Sequence, residues 1–465
     1  MMSILVHFLM VWKKLILSYV SLIVFSYHKA LGRTAVGPTH GSLSIVDNRT
    51  KRTYHVPIVH NAVRALDFRQ ITAAQKGADI ADQFDNGLCI VDKGYLNTAC
   101  MESSITLIDG KRGYIQYRNY SIDELFQHHD YEEVIHLLIW GKLPTPAQKK
   151  TLRRKLAAGM KPNQRVIDVI QSFPPDSLTF PMILAALSAY ASLDEGTQAT
   201  HSKGEPQYLG KAKEVDEAVI PRPCFHPPNP EGSFIGNILL MMGIMEPTPA
   251  GEPPKPNQKI EKCFERLWIL YADHEMTNST AAFLHAASTL TDPLSCCVTG
   301  IVSAYGPLHG GAIDLAYKGF EMVGTPENVP KLITAVKAKK QRLFGYGHRV
   351  YKVVDPRTKY IRQLMAEHQE LVSANPMLKV AMEIDRVAGE DPYFTSRNLK
   401  ANADLYGCFL YTALGFETDI IIAMASLSRT AGVLAHWREA MSQAPGLWRP
   451  QQIFTGPTAR PMKSK

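Results

Sequence analysis

From Gly345 to Arg357 the chain reads Gly-Tyr-Gly-His-Arg-Val-Tyr-Lys-Val-Val-Asp-Pro-Arg, which sets His348 and Arg357 among glycines and a proline. Glycines let backbone approach a ligand closely, and Pro356 after Asp355 fixes the turn that presents Arg357. A neutral imidazole and a fixed guanidinium in one loop suit a small anionic substrate. The arginine grips a carboxylate through paired hydrogen bonds while the histidine polarises or protonates a neighbouring oxygen. The same run also fits a surface turn with both side chains solvated, so the choice rests on the rest of the chain.

Other segments carry residues of the same kind. Tyr271-Ala272-Asp273-His274-Glu275-Met276-Thr277-Asn278 closes an apolar helical pattern, and Gly306-Pro307-Leu308-His309-Gly310-Gly311-Ala312 puts His309 in a glycine-rich bend. Asn402-Ala403-Asp404-Leu405-Tyr406 supplies a carboxylate; Ser428-Arg429-Thr430 and Trp448-Arg449-Pro450 supply arginines. Taken singly, each has a structural explanation: His274 a helix-end histidine, Asp404 a cap, Arg429 half of an ion pair, Arg449 a solvated charge.

The elements that must position these groups are mostly helices. Residues 41 to 58 alternate around Asp47-Asn48 and residues 105 to 117 around Asp109-Gly110, so each predicts a two-stranded ribbon. Helix signals then take over. Ser121 with Glu124 and Thr145 with Gln148 read as capping boxes, the second with Pro146 at the first helical position. From Thr418 to about Met441, the spacing of Ile421, Ala425, Leu427, Leu434 and Trp437 predicts a long apolar helix in which Arg429 needs an anionic partner. Residues 195 to 233 and 246 to 258, rich in Pro and Gly, read as surface connections. The pattern predicts a mainly α-helical protein with small β-hairpins near its N-terminus.

At 465 residues the chain is long enough for two domains, or one large and one small. Its 45% hydrophobic and 20% charged content is that of a globular protein and excludes general disorder. The net charge of +8 is spread along the chain, which fits anionic metabolites at least as well as nucleic acid. With no aromatic-basic RNA motif and no zinc spacing, neither a nucleic-acid partner nor a metal is expected. Seven cysteines, odd in number and without a CxxC pair, argue for reduced thiols inside a cell.

Residues 1 to 40 form a separate N-terminal extension. Two apolar runs flank Lys13-Lys14, and no acidic residue precedes Asp47. The run from Leu15 to Tyr27 is short for a bilayer, and the full stretch would bury both lysines at about 2.5 to 3.5 kcal/mol each. Three readings stay open: membrane attachment, a mitochondrial presequence, and a start codon set too early. The terminal Lys463-Ser464-Lys465 stops one leucine short of a peroxisomal address, which leaves the compartment open between peroxisome, mitochondrion and membrane.

Read in order, the chemical segments resemble citrate synthases, and the resemblance runs from about residue 41 to 458. It includes Asn97-Thr98-Ala99-Cys100-Met101-Glu102-Ser103, Tyr117-Arg118-Asn119-Tyr120-Ser121-Ile122 and His136-Leu137-Leu138-Ile139-Trp140-Gly141-Lys142-Leu143-Pro144. The resemblance implies a helical homodimer whose large domain (41–311) and small domain (312–418) close over the substrates, with 419–465 returning to the large domain as a C-terminal arm. It also implies the substrates, an acyl-CoA and oxaloacetate, and no metal or organic prosthetic group. By the same resemblance Asp404 is the base that removes a proton from the acyl carbon, and neutral His309 stabilises the enol. His348 donates to the ketone of oxaloacetate. His274, Arg357 and Arg429 hold its carboxylates, with Arg449 entering from the second subunit.

Departures from the family pattern bear on the acyl group. Relatives that use acetyl-CoA mostly read Pro-Asn-Val-Asp-Phe-Tyr-Ser-Gly around the base. Here the run is Ala401-Asn402-Ala403-Asp404-Leu405-Tyr406-Gly407-Cys408, which removes volume at 403, 405 and 407. Unfilled, such deletions cost roughly 1 to 5 kcal/mol per site, so either a longer acyl chain or compensation elsewhere in the core must take up the space. Ile313 and Asn119 also depart from the usual Asn and Gly. Within the family these changes favour an alkylcitrate synthase of fungal specialised metabolism over a housekeeping citrate synthase or a 2-methylcitrate synthase. A non-catalytic acyl-CoA-binding homologue is the reading from another class, against which the retention of His309, His348 and Asp404 speaks.

Overall fold

The structure is a computed structural model and describes residues 39–73, 87–160, 163–194, 197–198, 228–416, 418–443 and 446–456. The N-terminal extension, most of the 195–233 connection and the Lys463–Lys465 terminus lie outside the described residues. Those described fall into two compact units, one within Leu31–Glu102 and one beginning at Ser103.

In the first unit β1 (Thr39–Asp47) pairs antiparallel with β2 (Arg52–Val59), with a register shift between Thr39 and Ser42. The turn forms where it was expected. The Asp47 carboxylate accepts from the Arg49 N–H at 2.9 Å, and its carbonyl accepts from the Lys51 N–H at 2.7 Å.

The second unit opens with the other expected ribbon, β3 (Thr106–Asp109) and β4 (Tyr114–Tyr117), extended by a two-residue β5 (Tyr120–Ser121) in the order β3-β4-β5. Ser121 then caps α1 (Ile122–His128) by accepting the Glu124 N–H. Asp130 and Glu133 form a capping box at α2 (Tyr131–Trp140) that the sequence reading passed over, and the Thr145–Gln148 box at α3 (Pro146–Gly159) is complete. Next come α4 (Gln164–Gln171), α5 (Thr179–Leu193), α6 (Phe234–Met242), α7 (Gln258–Tyr271), α8 (Asn278–Ala287), α9 (Pro293–Tyr305) and α10 (Gly311–Val323). After α11 (Val329–Lys337) follow α12 (Pro356–Glu367), α13 (Gln369–Ala374), α14 (Pro376–Glu390), α15 (Pro392–Thr395), α16 (Phe409–Ala413) and α17 (Ile421–Ser442). Residues 246–257, read as a surface connection, are irregular and mostly exposed.

The expected long apolar helix is α17, and it forms the axis of the core. A helix apolar on nearly every side belongs inside a protein, and α17 packs against α2, α7, α8, α9 and α10. The Tyr131 hydroxyl donates to the Ser428 carbonyl at 2.7 Å, and Trp268 N–H donates to the Tyr411 hydroxyl at 3.0 Å, so the large buried rings are also hydrogen-bonded. One residue decides how closely α7 docks. A Cβ on Gly432 would lie 2.2 Å from Asp273 Oδ1 and 2.5 Å from the Ala272 carbonyl oxygen, so only glycine lets the end of α7 seat on α17. Among the described residues no helix is long and apolar enough to cross a membrane.

Candidate active site

The docking of α7 onto α17 places His274. It lies in the turn between α7 and α8, is 8% exposed, and meets the Tyr351 hydroxyl through Nε2 at 2.8 Å. Its ring is 5.4 Å from that of His348. His348 Nδ1 accepts from the backbone N–H groups of Val350 (3.1 Å) and Tyr351 (3.3 Å), so the neutral ring carries its proton on Nε2. Burial comes first and the Arg357 cation second in pushing His348 down to about 4; burial with Arg357 and Arg429 holds His274 well below the usual imidazole range. Both rings are therefore neutral at neutral pH.

Arg357 is held in place by Asp355, which the sequence reading placed in the turn but did not pair with the arginine. Asp355 caps α12, accepting the Arg357 N–H at 3.0 Å, and pairs with the same arginine through Nε (3.0 Å) and Nη2 (2.7 Å). Among the described residues no acceptor meets Nη1, which leaves that edge for an incoming carboxylate. Asp355 Oδ2 also accepts the Ala403 N–H at 3.1 Å, one residue from Asp404.

Further bonds zip the histidine loop to the segment that bears the carboxylate. Gly347 N–H donates to the Lys400 carbonyl (2.7 Å), Asn402 N–H to the Gly345 carbonyl (3.0 Å), and the Asn402 amide to the Gly347 carbonyl (2.8 Å). The fit requires glycine. Gly345 has φ +81° and a Cβ there would lie 2.9 Å from Leu405 Cα. Asn402 Oδ1 accepts the Asp404 N–H at 2.9 Å and starts the single 3-10 turn Ala403–Leu405. Asp404 is half-buried, and no hydrogen bond from the described residues reaches its carboxylate. Desolvation raises its pKa to about 6, with Arg357 opposing and Asp355 adding to the rise. A carboxylate so placed is a stronger base than a solvated one and is still ionised at neutral pH.

His309 lies in the bend between α9 and α10. Its Nε2 accepts the Ser279 N–H at 3.2 Å in the first turn of α8 and is 2.9 Å from the Ser279 hydroxyl. The proton therefore resides on Nδ1, and the positive end of α8 disfavours a second one. Burial, aided by Arg429, lowers His309 to about 4. Arg429 was expected to need an anionic partner. Its Nε instead donates to the Tyr271 carbonyl at 2.6 Å, while Asp273 supplies the negative field.

Six of the seven sequence-chosen residues thus share one electrostatic environment, in which Arg357 and Arg429 act on His274 and Asp404, and each on one further histidine. Arg449 is outside it. It is exposed, in an extended arm fixed by the Trp448 N–H bond to Ser288 Oγ at 3.1 Å. The arrangement offers one base, two neutral donors with assigned protons and two cations, which is what abstraction of a carbon-bound proton beside an anionic electrophile requires.

Residues 94–451 match the family model for the citrate synthase C-terminal domain, well over half of the chain. The chain belongs to the citrate synthase family. It is 47% identical over 436 residues to the citrate synthase-like protein oryE of Aspergillus oryzae, covering 90% of this chain and 96% of that one. To alkylcitrate synthase phiJ of a fungal species it is 35% identical over 440 residues, covering 90% and 94%. Among solved structures, it matches the ternary complex of carboxymethyl coenzyme A and oxaloacetate with citrate synthase from Thermoplasma acidophilum at TM-score 0.66 and 26% identity, over 81% of this chain and 98% of that one. The mainly helical fold is the one that the citrate synthase resemblance implied.

Within this citrate synthase family enzyme, the reduced side chains near Asp404 did not leave a simple void. A Cβ on Gly407 would lie 2.1 Å from the Tyr271 hydroxyl and 3.0 Å from Ile313 Cδ1, so these two residues take up the space at 407. The Tyr271 hydroxyl donates to the Ala403 carbonyl at 3.1 Å, and Ala403 and Leu405 are buried. Tyr271, Ser279, Tyr351, Asp355 and Asn402 are the supporting residues that sequence reasoning missed. Asp355 and Asn402 carried a signal as cap residues before a proline and an acidic turn; Ser279 and Tyr271 act through contacts that only the tertiary fold creates.

Proposed function

We propose that this enzyme joins an acyl-CoA to oxaloacetate and releases CoA and an alkylcitrate, with acyl groups longer than acetyl favoured. The observation that carries the reading is a carboxylate with pKa about 6 among two neutral histidines whose protons are assigned and two cations. Asp404 takes the proton from the acyl α-carbon while His309 Nδ1–H hydrogen-bonds the thioester oxygen, giving an enolate held by that bond. The enolate carbon forms a bond to the ketone carbon of oxaloacetate as the thioester carbonyl re-forms, and His348 Nε2–H donates to the ketone oxygen as it becomes an alkoxide. His274, Arg357 and Arg429 hold the carboxylates. Water then adds to the thioester carbonyl, the C–S bond breaks and CoA leaves as the thiol. Arg449 reaches the site from a second copy of the chain, and residues 312–418 close over 41–311 once both substrates are bound.

One observation supports the longer chain: Ala403 and Leu405, on either side of Asp404, are smaller than the Val and Phe usual in relatives that use acetyl-CoA. The filling of the 407 notch by Tyr271 and Ile313 favours a second reading, an ordinary citrate synthase or 2-methylcitrate synthase with a repacked wall. Product mass after incubation with oxaloacetate and each of acetyl-, propionyl-, hexanoyl- and decanoyl-CoA tests the proposal. A tricarboxylic acid carrying the longer alkyl chain is expected; no condensation product with any of them would overturn it.

A further inference from the structure

The β3–β4 hairpin touches both histidine loops. Its Ile108 N–H donates to Glu275 Oε1 at 2.6 Å, next to His274. Two residues on, the Gly110 carbonyl accepts the Lys352 N–H at 2.8 Å, next to Tyr351, whose hydroxyl meets His274. Both contacts are made under constraint. Glu275 has φ +54°, a left-handed conformation unusual for a side chain of its size, and its N–H is tied to Asp273 Oδ2 at 3.1 Å. A Cβ on Gly110 would lie 2.3 Å from the Val350 carbonyl oxygen, so the hairpin tip is in backbone contact with the loop whose N–H groups orient His348.

We propose that this hairpin is a spacer that fixes the separation of His274 and His348, with Glu275 and Gly110 as its positioning residues. Ile108 is paired with Ile115 inside the β3–β4 ladder and Gly110 opens the turn directly after it, so two residues of one hairpin separate the contacts with the two loops. One end holds the strained turn after His274, and the other holds the backbone after Tyr351. Neither Glu275 nor Gly110 touches substrate. Their loss lets the two imidazoles drift, and a displacement of about 1 Å at such a site weakens recognition of the shared ligand steeply.

The proposal rests on the reading of this site as the oxaloacetate site, so the experiment begins with oxaloacetate binding to the full-length wild-type enzyme by calorimetry, followed by steady-state kinetics. Glu275→Ala and Gly110→Ala are expected to raise Kd and KM for oxaloacetate about tenfold or more, with KM for acyl-CoA within about twofold of wild type. Glu275→Gln, whose amide oxygen still accepts the Ile108 N–H, is expected to restore oxaloacetate affinity. A merely structural role would lower kcat through the active fraction and leave both KM values in place. Equal changes in both KM values, unchanged oxaloacetate affinity in Glu275→Ala, or failure of Glu275→Gln to rescue would overturn the spacer. Wild-type enzyme that does not bind oxaloacetate would instead overturn the reading of the site, and the spacer with it.

Discussion

At the scale of the residue, the chemistry depends on where three protons are. Asp404 has to be ionised to act as base, and with desolvation raising its pKa to about 6 in the substrate-free site, kcat/KM is expected to rise with pH through that value and then level off. The histidines contribute no second limb in this range, because His309 and His348 ionise near about 4. A pH–rate profile checks this. Stability moves the other way. The carboxyl ionises at 3.8 in its ordinary state and about 6 in the fold, so between these values the unfolded chain loses its proton first. Stability falls as pH rises across that window, and the loss persists above it. Asp404→Asn is therefore expected to abolish condensation and to raise Tm at neutral pH; a lowered Tm would contradict a desolvated carboxylate at this position. The six residues that the fold gathers into one site were legible through the order of their segments, which resembles citrate synthases; taken singly, each also had a structural explanation. Asp355 and Ser279 escaped because their roles come from bonds to Arg357 and His309 that only the fold creates.

The elements were legible wherever a local signal sufficed. Turn residues marked both hairpins, Pro146 with Thr145 marked α3, and an unbroken apolar pattern marked α17. Contacts between elements were not, since they depend on close approaches far apart in sequence. The docking of α7 on α17 is one. Gly432→Ala puts a methyl 2.2 Å from Asp273 Oδ1 and is expected to cost about 1 to 3 kcal/mol, read as a lower urea midpoint with unchanged slope. The notch at Gly407 is another. Gly407→Ser would force the Tyr271 hydroxyl, 2.1 Å from the new Cβ, off the Ala403 carbonyl, one residue from Asp404. The expected result is a fall of about tenfold or more in kcat/KM for long acyl-CoA relative to acetyl-CoA. An unchanged ratio would assign Tyr271 to packing alone.

For the whole molecule, the exposed arm around Arg449 predicts a shared site. If Arg449 serves the second copy, Arg449→Ala and Asp404→Asn enzymes, each inactive alone, regain activity when dissociated and reassembled together. Random pairing makes half the dimers mixed with one intact site each, or about a quarter of wild-type activity. No recovery would confine each site to one chain. What enters beside Asp404 is decided by kcat/KM with oxaloacetate across acyl-CoA substrates from acetyl to decanoyl. A maximum at a chain longer than acetyl is expected, and a maximum at acetyl-CoA would contradict the proposed preference.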